Sequence, residues 1–212
     1  MPLLSRLARA FRAGPLAVLA ATALVLAGPG ARAADALLPG DMSLGDPKAK
    51  VVVVEYASVM CPHCARFNNE VFPAFKAKYV DTGKVRYVFR EFPTAPVQLA
   101  AAGFLVARCA PAERYFAVID ALFKGQAELL QNEDAKTYLL NAGKAGGLDQ
   151  AQVEACLKDK ARIDAYNARV KTALEVGKIE ATPTFVIGDT RLEGEQTLAD
   201  LDKALQPKLA AR

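Results

Sequence analysis

The sequence predicts an α/β domain in which a block of helices is inserted between two strand-bearing parts. Three observations carry that expectation. A β-branched run, Val51 to Val54 followed by Glu55 and Tyr56, reads as a buried strand. Apolar residues at helical spacing follow at Phe67, Val71, Phe72 and Phe75. Strand character reappears at Val85, then only at Thr184-Phe185-Val186-Ile187, after a long helical pattern.

Residues 1–33 have the pattern of a secretory signal. Arg6, Arg9 and Arg12 form a positive start, Leu16 to Ala27 is uncharged and mostly apolar, and Ala31-Arg32-Ala33 fits a small-x-small cleavage site, giving a mature chain from Ala34. The alternative is an uncleaved anchor, for which the apolar run is short. This segment carries four of the 27 basic residues and none of the 23 acidic ones, so the net charge of +4 leaves with it. The remainder is balanced, which argues against a nucleic-acid partner. Export implies an oxidising compartment, where disulfides persist. What remains suits one domain with its own core and shows no repeat or low-complexity tract.

Residues 34–44 are expected to form a loose arm or a short edge strand, and Gly45-Asp46-Pro47 a turn. After the Val-rich strand, a helix is expected from Cys61 to about Tyr79, bent at Pro73, with Asp81-Thr82-Gly83 turning after it. Residues 85–92 alternate as Val85, Tyr87, Phe89 and Glu91 against Arg86, Val88, Arg90 and Phe92. A strand, a helix and a strand at this spacing make a βαβ unit with parallel strands.

Pro93 and Pro96 bracket a loop. Helices are then expected at residues 97–109 and at 113–123, the second carrying Phe116, Ile119, Leu122 and Phe123 on one side. Asp134 caps a helix running to Ala145, and Asp149 with Gln152 resembles a capping box before Val153, Cys156 and Leu157. A further helix, residues 162–176, ends at Gly177. Gly188-Asp189 turns the last strands, and Thr197 caps a final helix ending before Pro207.

The chemistry lies in Cys61-Pro62-His63-Cys64. Two cysteines flanking two residues at a strand-to-helix junction form a redox motif. Pro62 suits the first helical position, where its missing N–H costs nothing. Cys61 then sits at the helix N-terminus, where unpaired donors and the helix dipole favour a thiolate.

Taken with Thr182-Pro183-Thr184-Phe185-Val186 far downstream, this motif resembles a thioredoxin-like fold with an inserted helical domain. It is similar to the DsbA family of periplasmic thiol-disulfide oxidoreductases. The resemblance implies thioredoxin-like parts at residues 34–96 and 177–212 around a helical insertion at 97–176. It implies that Cys61 is the attacked sulfur, that Cys64 is its more buried partner, and that His63 tunes the disulfide electrostatically; the other reading of His63 is an exposed polar residue in the first helical turn. It places a cis Pro183 opposite the dithiol, with Thr182 beside it to bind an extended substrate segment. It makes Glu55 a proton-relay candidate beneath the dithiol; the other reading is a strand residue facing water. Cys109 and Cys156 are either a second, structural disulfide, worth roughly 4 kcal/mol by chain entropy, or two buried free thiols.

The function so implied is disulfide donation to newly exported proteins with free thiols, by a monomer without cofactor or metal. A membrane protein of the DsbB kind would reoxidise it. Thr182 departs from the Val of the best-known DsbA and is familiar in related isomerases, so an isomerase or a reductase is the runner-up. A metal-binding protein is a third reading. It is disfavoured because zinc prefers paired Cys-x-x-Cys motifs and because Ala65 after Cys64 breaks the haem-attachment pattern.

Overall fold

The structure, a computed structural model, describes residues 37–210. The signal segment and cleavage site expected from the sequence fall on residues outside those described. Five strands form one sheet: β1 Met42–Leu44, β2 Val51–Ala57, β3 Val85–Glu91, β4 Thr184–Ile187 and β5 Thr190–Glu193. Their order is β1-β3-β2-β4-β5, with β2 central. β2 runs parallel to β3, Val53 opposite Tyr87 and Glu55 opposite Phe89. The other pairings are antiparallel, and the short edge strand expected near the start of the domain is β1, on the outer side of β3.

The two faces of β2 follow from the period of a strand. Val51, Val53 and Ala57 face the larger core, which also holds Cys61, Cys64, Phe67, Phe89, Phe104 and Leu122. Val54 and Tyr56 face a smaller cluster with Val88, Ala173 and Val186. Glu55 shares the parity of the first set and is 2% exposed. On the opposite face the Arg90 guanidinium is buried against Asp41, 2.7 Å away, and the Tyr56 hydroxyl, also at 2.7 Å.

Residues 62–80 form one helical stretch with an irregular ladder. It consists of α1 Pro62–Arg66, a π turn Phe67–Val71, α2 Phe72–Phe75 and a second π turn Lys76–Val80. Around Pro73, where the sequence suggests a bend, the ladder widens in the turn just before it. Pro73 lacks an N–H, and Phe72 N–H reaches back five residues to Phe67 O.

The helical block contains α3 Val97–Cys109, α4 Tyr115–Asn132, α5 Ala135–Ala145, α6 Gln150–Lys158 and α7 Lys160–Gly177, and α8 Leu198–Ala210 closes the chain. Asp134 caps α5 through the Thr137 amide, and Asp149 and Gln152 form a reciprocal box at α6. Three elements differ from the sequence expectation. α4 runs nine residues past Phe123, through Gly125 and the buried polar Gln126, where the apolar period lapses. Gly177 stays helical, and the left-handed residue that ends α7 is Lys178, at φ 48°. Pro207 lies inside α8 rather than after it. It is exposed and near the helix end, so water can take the carbonyl it leaves without a partner.

Candidate active site

The site is assembled where β2 gives way to α1. Ser58, fully buried, fixes the connection: its carbonyl accepts the Cys61 amide at 3.0 Å, and its hydroxyl accepts the amides of Met60 and Thr94. Val59 is held from the helical block. Its carbonyl accepts the Gln126 side-chain amide at 2.9 Å and lies 3.4 Å from the Tyr138 hydroxyl. Cys61 is then the N-cap of α1 with Pro62 at the first turn, and its sulfur accepts the Cys64 amide at 3.4 Å. The Thr182–Pro183 peptide is cis, as is Ala95–Pro96. Thr182 O lies 3.3 Å from Cys61 Sγ, across 121 residues of chain.

The two thiols are in opposite electrostatic states. Cys61 is lowered from the usual 9.0 to about 5. A hydrogen bond from the Cys64 side chain is the main cause; burial opposes it, and the Thr182 side chain and the Cys64 and His63 amides assist. Cys64 is raised well above 9.0 by burial, by donating to Cys61, and by the nearby charges of Cys61 and Glu55. Beneath them Glu55 is raised to about 8, chiefly by burial. A hydrogen bond from the Tyr87 hydroxyl pulls the other way, and the Cys61 charge adds to the rise.

His63 behaves differently from its sequence neighbours. Its amide helps to stabilise the Cys61 thiolate, but its side chain is 58% exposed and turns outward. Nδ1 lies 3.0 Å from Glu195 Oε2 and 2.6 Å from the Arg66 guanidinium. Among the described residues, the ring bonds to these two groups and not to Cys61. Glu195, Arg66, Tyr87, Gln126 and Ser58 were not singled out by the sequence. Each is a common residue in an unremarkable local pattern, and only the fold brings it to the dithiol.

Cys109 and Cys156 are joined in a disulfide with Cα atoms 6.2 Å apart. It links the end of α3 to α6 within the helical block, apart from the dithiol.

A mixed sheet whose central strand ends in a dithiol at a helix N-terminus, faced by a cis-Pro loop, defines a thioredoxin-fold protein of the thiol–disulfide class. The family model described as "Thioredoxin" matches residues 38–207. A Rickettsia bellii protein named "Putative protein-disulfide oxidoreductase" is 32% identical over 170 residues, covering 78% of this chain and 65% of the relative. The chain spans 60–65% of the length of the Rickettsia relatives it matches. The crystal structure of alpha-DsbA1 from Wolbachia pipientis is 30% identical with a TM-score of 0.73, covering 82% of this chain and 92% of that one. Oxidised BdbD from Bacillus subtilis, 21% identical with a TM-score of 0.68, shares the fold; the match covers 85% of this chain and 98% of that one. The chain belongs to the thioredoxin family, in its DsbA-like branch with a helical insertion.

Proposed function

We propose that this chain is a periplasmic thiol–disulfide oxidoreductase that introduces disulfides into exported proteins by exchange with a Cys61–Cys64 disulfide. The observation that carries the reading is the opposed pair of thiols. Cys61 favours its thiolate, and Cys64, one turn later, strongly retains its proton. A stable Cys61 thiolate is a good leaving group and makes the reduced protein the favoured form, so its disulfide is an oxidant.

The exchange balances in two steps. A substrate thiolate attacks Cys61 Sγ; the Cys61–Cys64 bond breaks, and Cys64 leaves as a thiolate that must take up a proton. Glu55, whose carboxyl burial pushes well above its ordinary value, would supply it. A second substrate thiolate then attacks the substrate sulfur of the mixed disulfide, and Cys61 departs with the electron pair. The substrate loses two electrons, and the protein gains them as a dithiol. Thr182 and Pro183 would align an extended substrate segment against Cys61, and His63 and Pro62 complete the motif.

Residues 1–33 would export the chain and be cut before Ala34, leaving thioredoxin-like parts at 34–96 and 177–212 around an insertion at 97–176. A membrane reoxidase of the DsbB kind would regenerate the disulfide, and the protein would act as a monomer. Equilibrating the protein in glutathione buffers and alkylating its free thiols tests the reading, with Cys109→Ala, Cys156→Ala as a control. A potential near about −120 mV, typical of DsbA, is expected. A value near about −270 mV, typical of thioredoxin, would make the chain a reductant instead.

A further inference from the structure

We propose that Glu195 is a positioning residue that restrains the oxidising strength of the dithiol by engaging the two basic side chains of the active-site helix, His63 and Arg66. The proposal rests on the exchange reading above and adds to it the group that sets its strength.

Glu195 is placed by the same loop that faces the sulfur. It follows β5 and Gly194, whose amide donates to Pro183 O at 2.8 Å. Gly194 holds φ +78°, a conformation open to glycine, and this carries the chain back over α1. A circuit results: Cys61 touches Thr182, Pro183 holds Gly194, and Glu195 reaches His63 two residues from Cys61.

The carboxylate is gripped on both oxygens. Arg66 Nε lies 3.0 Å from Oε1 and 3.1 Å from Oε2, and its terminal nitrogen is 2.6 Å from Oε2. A planar guanidinium on both oxygens is the strong form of this pair. Arg66 and His63 hold the Glu195 carboxyl down to about 2, so it is charged at any working pH. The guanidinium cannot lose its proton. With Glu195 in place its carboxylate offsets the Arg66 charge. Without it, a permanent positive charge remains on the helix capped by Cys61, facing the weaker fields of Glu70 and of Cys61 itself. Arg66 senses the Cys61 charge, so the coupling reaches the sulfur. An added positive charge there stabilises the thiolate, favours the dithiol and strengthens the oxidant.

The test is Glu195→Gln in the full chain, read by the ultraviolet titration of the Cys61 thiolate and by the glutathione equilibrium. The variant is expected to titrate at lower pH and to shift about two- to tenfold toward the dithiol. The shift should shrink in high salt. Glu195→Asp, which keeps the charge, should stay near wild type. No shift in Glu195→Gln, or an equal shift in Glu195→Asp, overturns the proposal, the second because geometry rather than charge would then be responsible. The wild-type equilibrium judges the proposed function, whereas the difference between variant and wild type judges Glu195, so either can fail alone.

Discussion

Cys61 and Cys64 stand one helical turn apart in the same protein environment, yet one releases its proton readily and the other withholds it. The difference is position. Cys61 caps the helix and collects amide donors, whereas Cys64 is fully buried behind it. Glu55 extends the same logic to a carboxyl, whose burial raises it from 4.5 to about 8. A raised acid contributes stability that is present below its unfolded value and is lost as pH rises through about 8. In the oxidised protein, where burial alone and not the Cys61 charge raises this carboxyl, Glu55→Gln should gain stability on wild type as pH rises from 5 to 9. Urea midpoints at pH 5 and 9 check this: the wild type should lose stability between them and the variant should not. Cys61, Cys64 and Glu55 were legible because strand and motif lie within one short window. Glu195 was not, since 132 residues separate it from His63 and it sits in a polar turn like any other acid.

At the scale of elements, local chemistry was readable and packing was not. Asp134 and Asp149 cap the amides three residues on, a relation visible in the sequence itself. The length of α4 was hidden because Gln126 breaks the apolar period, and the reason for a buried amide there is the Val59 carbonyl on another element. Gln126→Ala should cost about 1–3 kcal/mol in denaturant melts, because it leaves that buried carbonyl with a weaker set of donors. The same variant should move the Cys61 titration, since the loop before the cap is loosened. Gly177 reads as a helix stop but serves packing: a Cβ there would lie 2.7 Å from the Tyr56 ring. Gly177→Ala should destabilise the fold by about 1–3 kcal/mol despite its better helix propensity. A gain in stability would show that the ring has room to move.

For the whole molecule, the alternation of strand and helix was enough to place a βαβ unit, a helical block and a closing ββα unit. The order β1-β3-β2-β4-β5, and hence which residues line the dithiol, required the register between strands. Global stability should carry the signature of the site. A lowered acid such as Cys61 contributes stability that is present above 9.0 and is lost as pH falls through about 5. The reduced protein should thus gain on the oxidised one as pH rises from about 5 to 8, measurable as a widening difference in their urea midpoints. An unchanged difference would mean that the thiolate is not what holds the reduced form together. Removing the second disulfide with Cys109→Ala, Cys156→Ala should lower stability in both redox states by about 2–4 kcal/mol, seen as a matching drop in both midpoints.

The Cys109–Cys156 bond makes the chain a customer of its own trade. A freshly made copy has four thiols to convert, and only two of them belong to the working pair. Under the proposed activity, finished molecules can complete unfinished ones, so a population would mature in proportion to the number already mature. Synthesis in cells purged of the protein should then show a lag before the bond appears, and seeding with oxidised protein should abolish it.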